Sequence, residues 1–140
     1  MIVLDTNVVS ELMKREPADA VSRWVAGQPA TTLYTTSITQ AEILHGILLL
    51  PAGKRRGALE TAAEEMFNED FGGRVLPVGG EAARAYAQIA AQRRRSGRPI
   101  SQFDAQIAAI ARSARAPVAT RNTSDYEGCG IKVLNPWGAL

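Results

Sequence analysis

The chain has 140 residues, 46% hydrophobic and 21% charged, the balance of a folded domain and not of a disordered segment. That length predicts one domain over residues 1–140 with a full core, and the lone cysteine, Cys129, excludes an internal disulfide. A net charge of +2 is too small by itself to argue for a nucleic-acid partner.

Ile2–Leu4 is a short apolar run without alternation, the pattern of a buried parallel strand. The chain turns polar at Asp5-Thr6-Asn7, and Val8–Met13 begins a helical pattern. Pro17 is expected to open the next helix at its first position, with Ala20, Val21, Trp24 and Val25 on one face and Gly27-Gln28-Pro29 as its stop. Leu33–Thr36 reads as a second strand. Ser37 or Thr39 then caps a helix carrying Ala41, Ile43, Leu44, Ile47 and Leu48.

After the break at Pro51-Ala52-Gly53, Lys54–Phe67 reads as an amphipathic helix and Val75–Val78 as a weak third strand. A long helix is predicted from Glu81 to Arg95, buried through Ala82, Ala85, Tyr86, Ile89 and Ala90 and stopped by Gly97-Arg98-Pro99. Phe103–Ala114 is an Ala- and Ile-rich helix whose small residues permit close packing. Ala116–Thr120 and Lys132–Leu134 supply the last two strands, and Asn135-Pro136-Trp137 closes the domain. There is no linker, repeat or low-complexity stretch. Alternating strands and helices predict an α/β fold, a parallel sheet sandwiched between helices.

No apolar run approaches the roughly 18 residues of a membrane span. Met1-Ile2-Val3-Leu4-Asp5 lacks a basic n-region and a small-residue cleavage site, so no signal peptide and a cytoplasmic location are expected.

In open parallel sheets function collects at the carboxyl ends of strands. Asp5 directly follows the first strand, and Asp125 lies beyond the fourth, after Thr120-Arg121-Asn122. Glu42 interrupts an apolar helix, and Asp104 opens an otherwise neutral one. Each has a structural explanation: Asp5 as a helix cap, Glu42 as an exposed helix residue, Asp104 as a first-turn carboxylate and Asp125 as a turn residue. Taken together, acids from distant segments in one pocket would repel each other and need a cation, and oxygen ligands suit Mg²⁺ or Mn²⁺. Zinc fits poorly, with one His and one Cys in the chain. Gathering these acids would leave a basic rim around them, including Lys54-Arg55-Arg56 and Arg93-Arg94-Arg95 with Arg98, suited to a polyanion. Solvated helix faces explain both clusters equally.

Other chemistries find less support. Gly72-Gly73 and Gly79-Gly80 lack the Gly-Lys-Ser/Thr of a phosphate loop. Glu42-x-x-His45 has diiron spacing but no second such pair. No Ser lies in a nucleophile elbow, so His45 reads as a packing or helix-surface residue and Cys129 as an incidental loop thiol. A phosphatase or receiver-type domain would need an Asp two residues after Asp5, where Asn7 stands.

The opening Met1–Glu11 resembles the start of PIN-domain ribonucleases, and Ser37–Gly46, Asp104–Ala111 and Ala119–Tyr126 resemble that family's later acidic motifs in order. With the ending Asn135-Pro136-Trp137 the resemblance extends over essentially the whole chain and is nearest to the VapC toxins of type II toxin–antitoxin pairs, in their FitB-like branch. The resemblance implies an endoribonuclease in which Asp5, Glu42 and Asp104 hold Mg²⁺ or Mn²⁺, with Thr6, Asn7 and Thr120 supporting them from behind. Glu42 is a ligand or a water-orienting base. Family members carry Asp or Asn directly after Thr-Arg; here that residue is Asn122, and Asp125 is the other candidate for a fourth catalytic position. One well-held ion is expected in the free protein. Arg121, Arg98, Lys54, Arg55, Arg56, Arg93, Arg94 and Arg95 are the implied RNA-gripping residues. The implied partners are RNA, a VapB-type antitoxin, a second copy of the chain, and operator DNA through the antitoxin only. A PIN-like binding module with little or no turnover is the alternative, favoured by the uncharged Asn122.

Overall fold

The computed structural model describes residues 1–138. Five parallel strands lie in the order β3-β2-β1-β4-β5. They are β1 (Ile2–Leu4), β2 (Leu33–Thr36), β3 (Val75–Leu76), β4 (Val118–Ala119) and β5 (Val133–Leu134). The first strand is therefore central, flanked by β2 through Ile2 opposite Leu33 and by β4 through Val3 opposite Val118. Alternation along β1 and β4 divides the core into two layers. Val3 and Val118 face helices α5 (Gly80–Arg95) and α6 (Gln102–Ser113) on one side of the sheet. Leu4 and Ala119 face α1 (Thr6–Leu12), α2 (Asp19–Ala26), α3 (Ser37–Leu48) and α4 (Lys54–Glu65) on the other. Helices therefore cover both faces, as a sheet of parallel strands requires. No helix among the described residues is long and apolar enough to cross a membrane.

Local chemistry moves several boundaries. Asp5 accepts from the Thr6 amide, so α1 starts two residues before the apolar pattern. Pro17 does not open α2, which begins at Asp19: the chain stays extended at Ala18, whose amide donates to Glu11 Oε2 at 2.9 Å. The cap of α3 is neither Ser37 nor Thr39 but Thr36, the last residue of β2, whose Oγ1 accepts from the Thr39 amide. The helix expected to run to Phe67 ends as α-helix at Glu65 and continues through Met66–Asp70 as a π-helical turn, closed by the Phe71 amide on the Met66 carbonyl. Strands β3, β4 and β5 are each shorter than their apolar runs. The stop at Gly97 holds: with φ at +75° it adopts a backbone that side chains disfavour, and the next amide turns back onto Arg93.

Glu11 is buried on α1 and accepts from Lys14 Nζ at 2.8 Å as well as from Ala18. The Lys14 bond first, then the Ala18 amide, lowers its pKa from 4.5, so its contribution is present at neutral pH and is lost as pH falls through the lowered folded value. Glu11→Ala is expected to lower the thermal midpoint at neutral pH, with the difference from the parent shrinking as pH falls below the ordinary carboxylate value of 4.5. Thermal unfolding across that range tests it.

Candidate active site

The carboxyl ends of β1 and β4 lie side by side, which brings Asp5 to Thr120 across 115 residues of chain. Thr120 Oγ1 donates to Asp5 Oδ2 at 2.8 Å, and Asn7 Nδ2 reaches the same oxygen at 3.3 Å. Asn7 also bonds Thr120 Oγ1 and accepts from the Arg121 amide, so one amide side chain ties the two strand ends together. The Thr6 amide takes Asp5 Oδ1. Asp5 is 4% exposed. Burial, above all, raises its pKa from 3.8; the bonds from Thr120, Thr6 and Tyr126 pull it back, and the neighbouring Asp104 charge pushes it up again. The folded chain therefore holds this proton to higher pH than the unfolded chain. In the metal-free protein, stability falls as pH rises from about 3.8 through the higher folded value, the opposite sign to Glu11. Asp5→Asn is expected to flatten that part of the thermal midpoint against pH.

Asp104 stands in the first turn of α6, capped by Ser101, whose Oγ accepts from the Asp104 amide. It is half-buried and meets Tyr126, whose hydroxyl donates to Asp104 Oδ1 at 3.4 Å. The Tyr126 phenol is fully buried beneath the short 3-10 turn Thr123–Tyr126. Burial first, then the charges of Asp5 and Asp104, pushes its pKa up, so it stays a neutral donor between the two carboxylates.

Glu42 reaches the site from α3 through hydroxyls. Thr6 Oγ1 donates to Glu42 Oε1 at 2.7 Å, and Thr39 and Thr36 extend the chain behind it at 3.0 Å and 3.4 Å. Because Thr6 spends its proton on Glu42, the Thr39 hydroxyl donates to Thr6 and the Thr36 hydroxyl to Thr39. This buried threonine relay fixes the orientation of a half-exposed carboxylate.

The four acids expected in one pocket do not form a single cluster. Among the described residues no three His, Cys, Asp or Glu side chains converge tightly enough to enclose a metal ion. Asp125 and Asn122 are exposed; Asp125 contributes its backbone carbonyl to the site's framework, and Asn122 its amide, which donates to Thr120 Oγ1. Asp5, Asp104 and Glu42 have no Lys or Arg partner among the described residues, where the ion pairs are Lys14–Glu11, Arg56–Glu60 and Arg98–Glu127. A buried carboxylate facing a second one with no basic partner suits a hard divalent cation. Mg²⁺ commonly takes one or two carboxylates and completes its shell with water and substrate phosphate, so a full protein cage is not required.

The basic residues separate into distinct roles. Arg93 is not available to substrate. It is 7% exposed, and its Nη1 donates to the carbonyls of Asp125 and Glu127 at 2.8 and 2.9 Å and its Nε to that of Arg98 at 2.6 Å. It braces the turn that carries Tyr126. Cys129 is buried against the same guanidinium, not loose in a loop. Arg56 is half-buried and bonded to Glu60, and Arg98 pairs with Glu127. Lys54, Arg55, Arg94 and Arg95 are exposed, and exposed Arg121 lies 5.3 Å from the Trp137 ring centroid. His45 sits on the exposed side of α3. The sequence reading missed Tyr126 and Thr36 as site residues; an aromatic inside the polar loop Asn122–Glu127 was the available signal for the first.

Residues 2–127 match the PIN domain family. The chain belongs to the PIN-domain family. Within that PIN family it is 46% identical over 137 residues to VapC ribonuclease Y4jK of Sinorhizobium fredii, covering 98% of both chains. It is 36% identical to toxin FitB of Neisseria gonorrhoeae, covering 98% of this chain and 99% of that one. A solved structure of FitAB bound to an IR36 DNA fragment contains a chain that superposes with a TM-score of 0.93 at 36% identity, covering 100% of this chain and 98% of that one. The α/β PIN fold and the kinship with VapC and FitB proteins expected from the sequence are therefore established.

Proposed function

We propose that the chain is a Mg²⁺- or Mn²⁺-dependent endoribonuclease, the toxin of a type II toxin–antitoxin pair, hydrolysing RNA phosphodiester bonds at Asp5, Asp104 and Glu42. The observation that carries this reading is the meeting of Asp5 and Asp104 around the Tyr126 hydroxyl, two carboxylates with no basic partner among the described residues. Kinship with a VapC ribonuclease supports the same chemistry. Asp5 and Asp104 would hold the cation. A divalent ion, when bound there, would supply positive charge to the phosphate oxygens and lower the pKa of water. Thr6, Asn7 and Thr120 hold Asp5 in one rotamer, and the threonine relay aims Glu42 so that it can orient the attacking water and accept its proton. Asn122 and Asp125, at the exposed rim, meet substrate and not the ion of the free protein. Lys54, Arg55, Arg94, Arg95 and Arg121 grip the RNA backbone.

The partner is a VapB- or FitA-type antitoxin, in keeping with the FitAB assembly of a relative, and operator DNA is reached through it. A cleft of about 920 Å³ beside Glu42, lined by Met13, Ile43, Ile47 and Leu50 with Lys14 and Arg55, suits an amphipathic acidic segment. A cationic antitoxin side chain at the acidic site would block it, and a homodimer would share the basic rim between copies. The deciding experiment is RNA cleavage by the purified chain with Mg²⁺, with Mn²⁺ and after metal stripping. Cleavage restored only by added metal is expected; full activity after stripping overturns the reading.

A further inference from the structure

The ends of α5 and α6 farthest from Asp104 carry a second concentration of positive charge. A cavity of about 570 Å³ lined by Arg84, Arg112 and Arg115 adjoins one of about 380 Å³ lined by Arg112, Arg115 and Lys132. Among the described residues Glu81 is the only acid lining either one. None of the four cations forms an ion pair among the described residues. Two of them stand at notable places in the backbone. The Arg112 guanidinium packs beside Gly130, 3.5 Å from where a Cβ would stand, an ordinary contact distance. Arg115 has φ at 55°, the left-handed conformation at a helix end where glycine is the usual occupant, yet it presents a long cation. Guanidinium forks match phosphate oxygens two at a time, and open cavities lined by them suit a sugar–phosphate backbone better than an apolar ligand.

We propose that Arg84, Arg112, Arg115 and Lys132 form a distal phosphate-binding patch that grips the backbone of a folded RNA while its scissile bond lies at Asp5 and Asp104. The proposal rests on the ribonuclease reading for its choice of RNA. Asp104 and Arg115 are separated by about 16 Å of helix axis at 1.5 Å per residue. A stacked tetranucleotide, at about 3.4 Å per step, falls short of that span, whereas a folded RNA covers it.

The test measures equilibrium binding of unfractionated transfer RNA against salt, for the parent, for Arg112→Gln/Arg115→Gly, and for Arg84→Gln/Lys132→Gln. The last pair leaves the Arg112–Gly130 contact intact. Each double variant is expected to weaken binding about tenfold at low salt and to reduce the slope of log affinity against log salt by about 1.5, at roughly 0.7–0.9 per phosphate contact. Cleavage of a fluorogenic tetranucleotide is expected to be unchanged. An unaltered slope in the Arg84/Lys132 variant overturns the patch, as does an equal loss on the tetranucleotide, or a loss confined to duplex DNA. Failure of the parent to cleave the tetranucleotide with Mg²⁺ counts against the ribonuclease reading, while the binding slope still decides the patch.

Discussion

Asp5→Asn is expected to lower RNA cleavage by about 10³-fold or more, the equivalent of about 4 kcal/mol of lost charge stabilisation at the reacting phosphate. The substitution keeps the shape of a side chain that is buried among Thr6, Asn7 and Thr120, so the loss reports charge and not collapse. It also turns an amide donor toward either the Thr6 amide or the Thr120 and Asn7 donors, which adds a local conflict that a thermal melt would register as a small shift. Mn²⁺ binding by calorimetry separates the two effects: affinity should fall with cleavage even where the melt is preserved. An Asp5→Asn variant that binds Mn²⁺ and cleaves RNA like the parent would remove Asp5 from the site.

Arg93→Ala is expected to cost about 3–5 kcal/mol, because it strips the donors from several carbonyls at once in a buried setting. In a chain of this length that is a fall in Tm of about 10 °C or more. The fall should be accompanied by weaker cleavage below the new midpoint, since the turn that Arg93 braces carries the Tyr126 hydroxyl to Asp104. Lys at this position has a single point charge and cannot span carbonyls on both Arg98 and Glu127, so Arg93→Lys should recover only part of the loss. Tyr126→Phe separates brace from contact, keeping the fold while removing the hydroxyl. A midpoint within about 2 °C of the parent in Arg93→Ala would dismiss the brace.

The parts of this fold that the sequence made legible are those written in periodicity. Ile2–Leu4 followed at once by Asp5 announces a buried strand with an acid at its carboxyl end, and the Ala/Ile pattern of α6 announces a helix packed closely on its neighbour. What escaped depends on which way one member of a like set points. Arg93, Arg94 and Arg95 are equivalent by type, yet Arg93 alone continues the buried stripe Ala82, Ala85 and Ile89, so the helical phase contained the distinction that the charge run concealed. Thr36 was obscured because it ends a strand and caps a helix at once. The π-helical turn after Glu65 was obscured because buried Ala63, Met66 and Phe67 keep the i, i+3, i+4 spacing of an α-helix. Asp125 was the reverse case: its position after the fourth strand suggested a ligand, but its side chain faces solvent and its carbonyl carries the structural bond.

The first strand's central place in the sheet bears on how such a chain is made. Asp5 is synthesised more than a hundred residues before Thr120 and Tyr126, which complete its surroundings. A nascent or prematurely terminated polypeptide that stops short of Thr120 has nothing to donate to Asp5 Oδ2 from that side, and without β5 the Thr120 amide loses the Leu134 carbonyl that seats it. Assembly of the carboxylate's full surroundings is thereby coupled to completion of the sheet through β5.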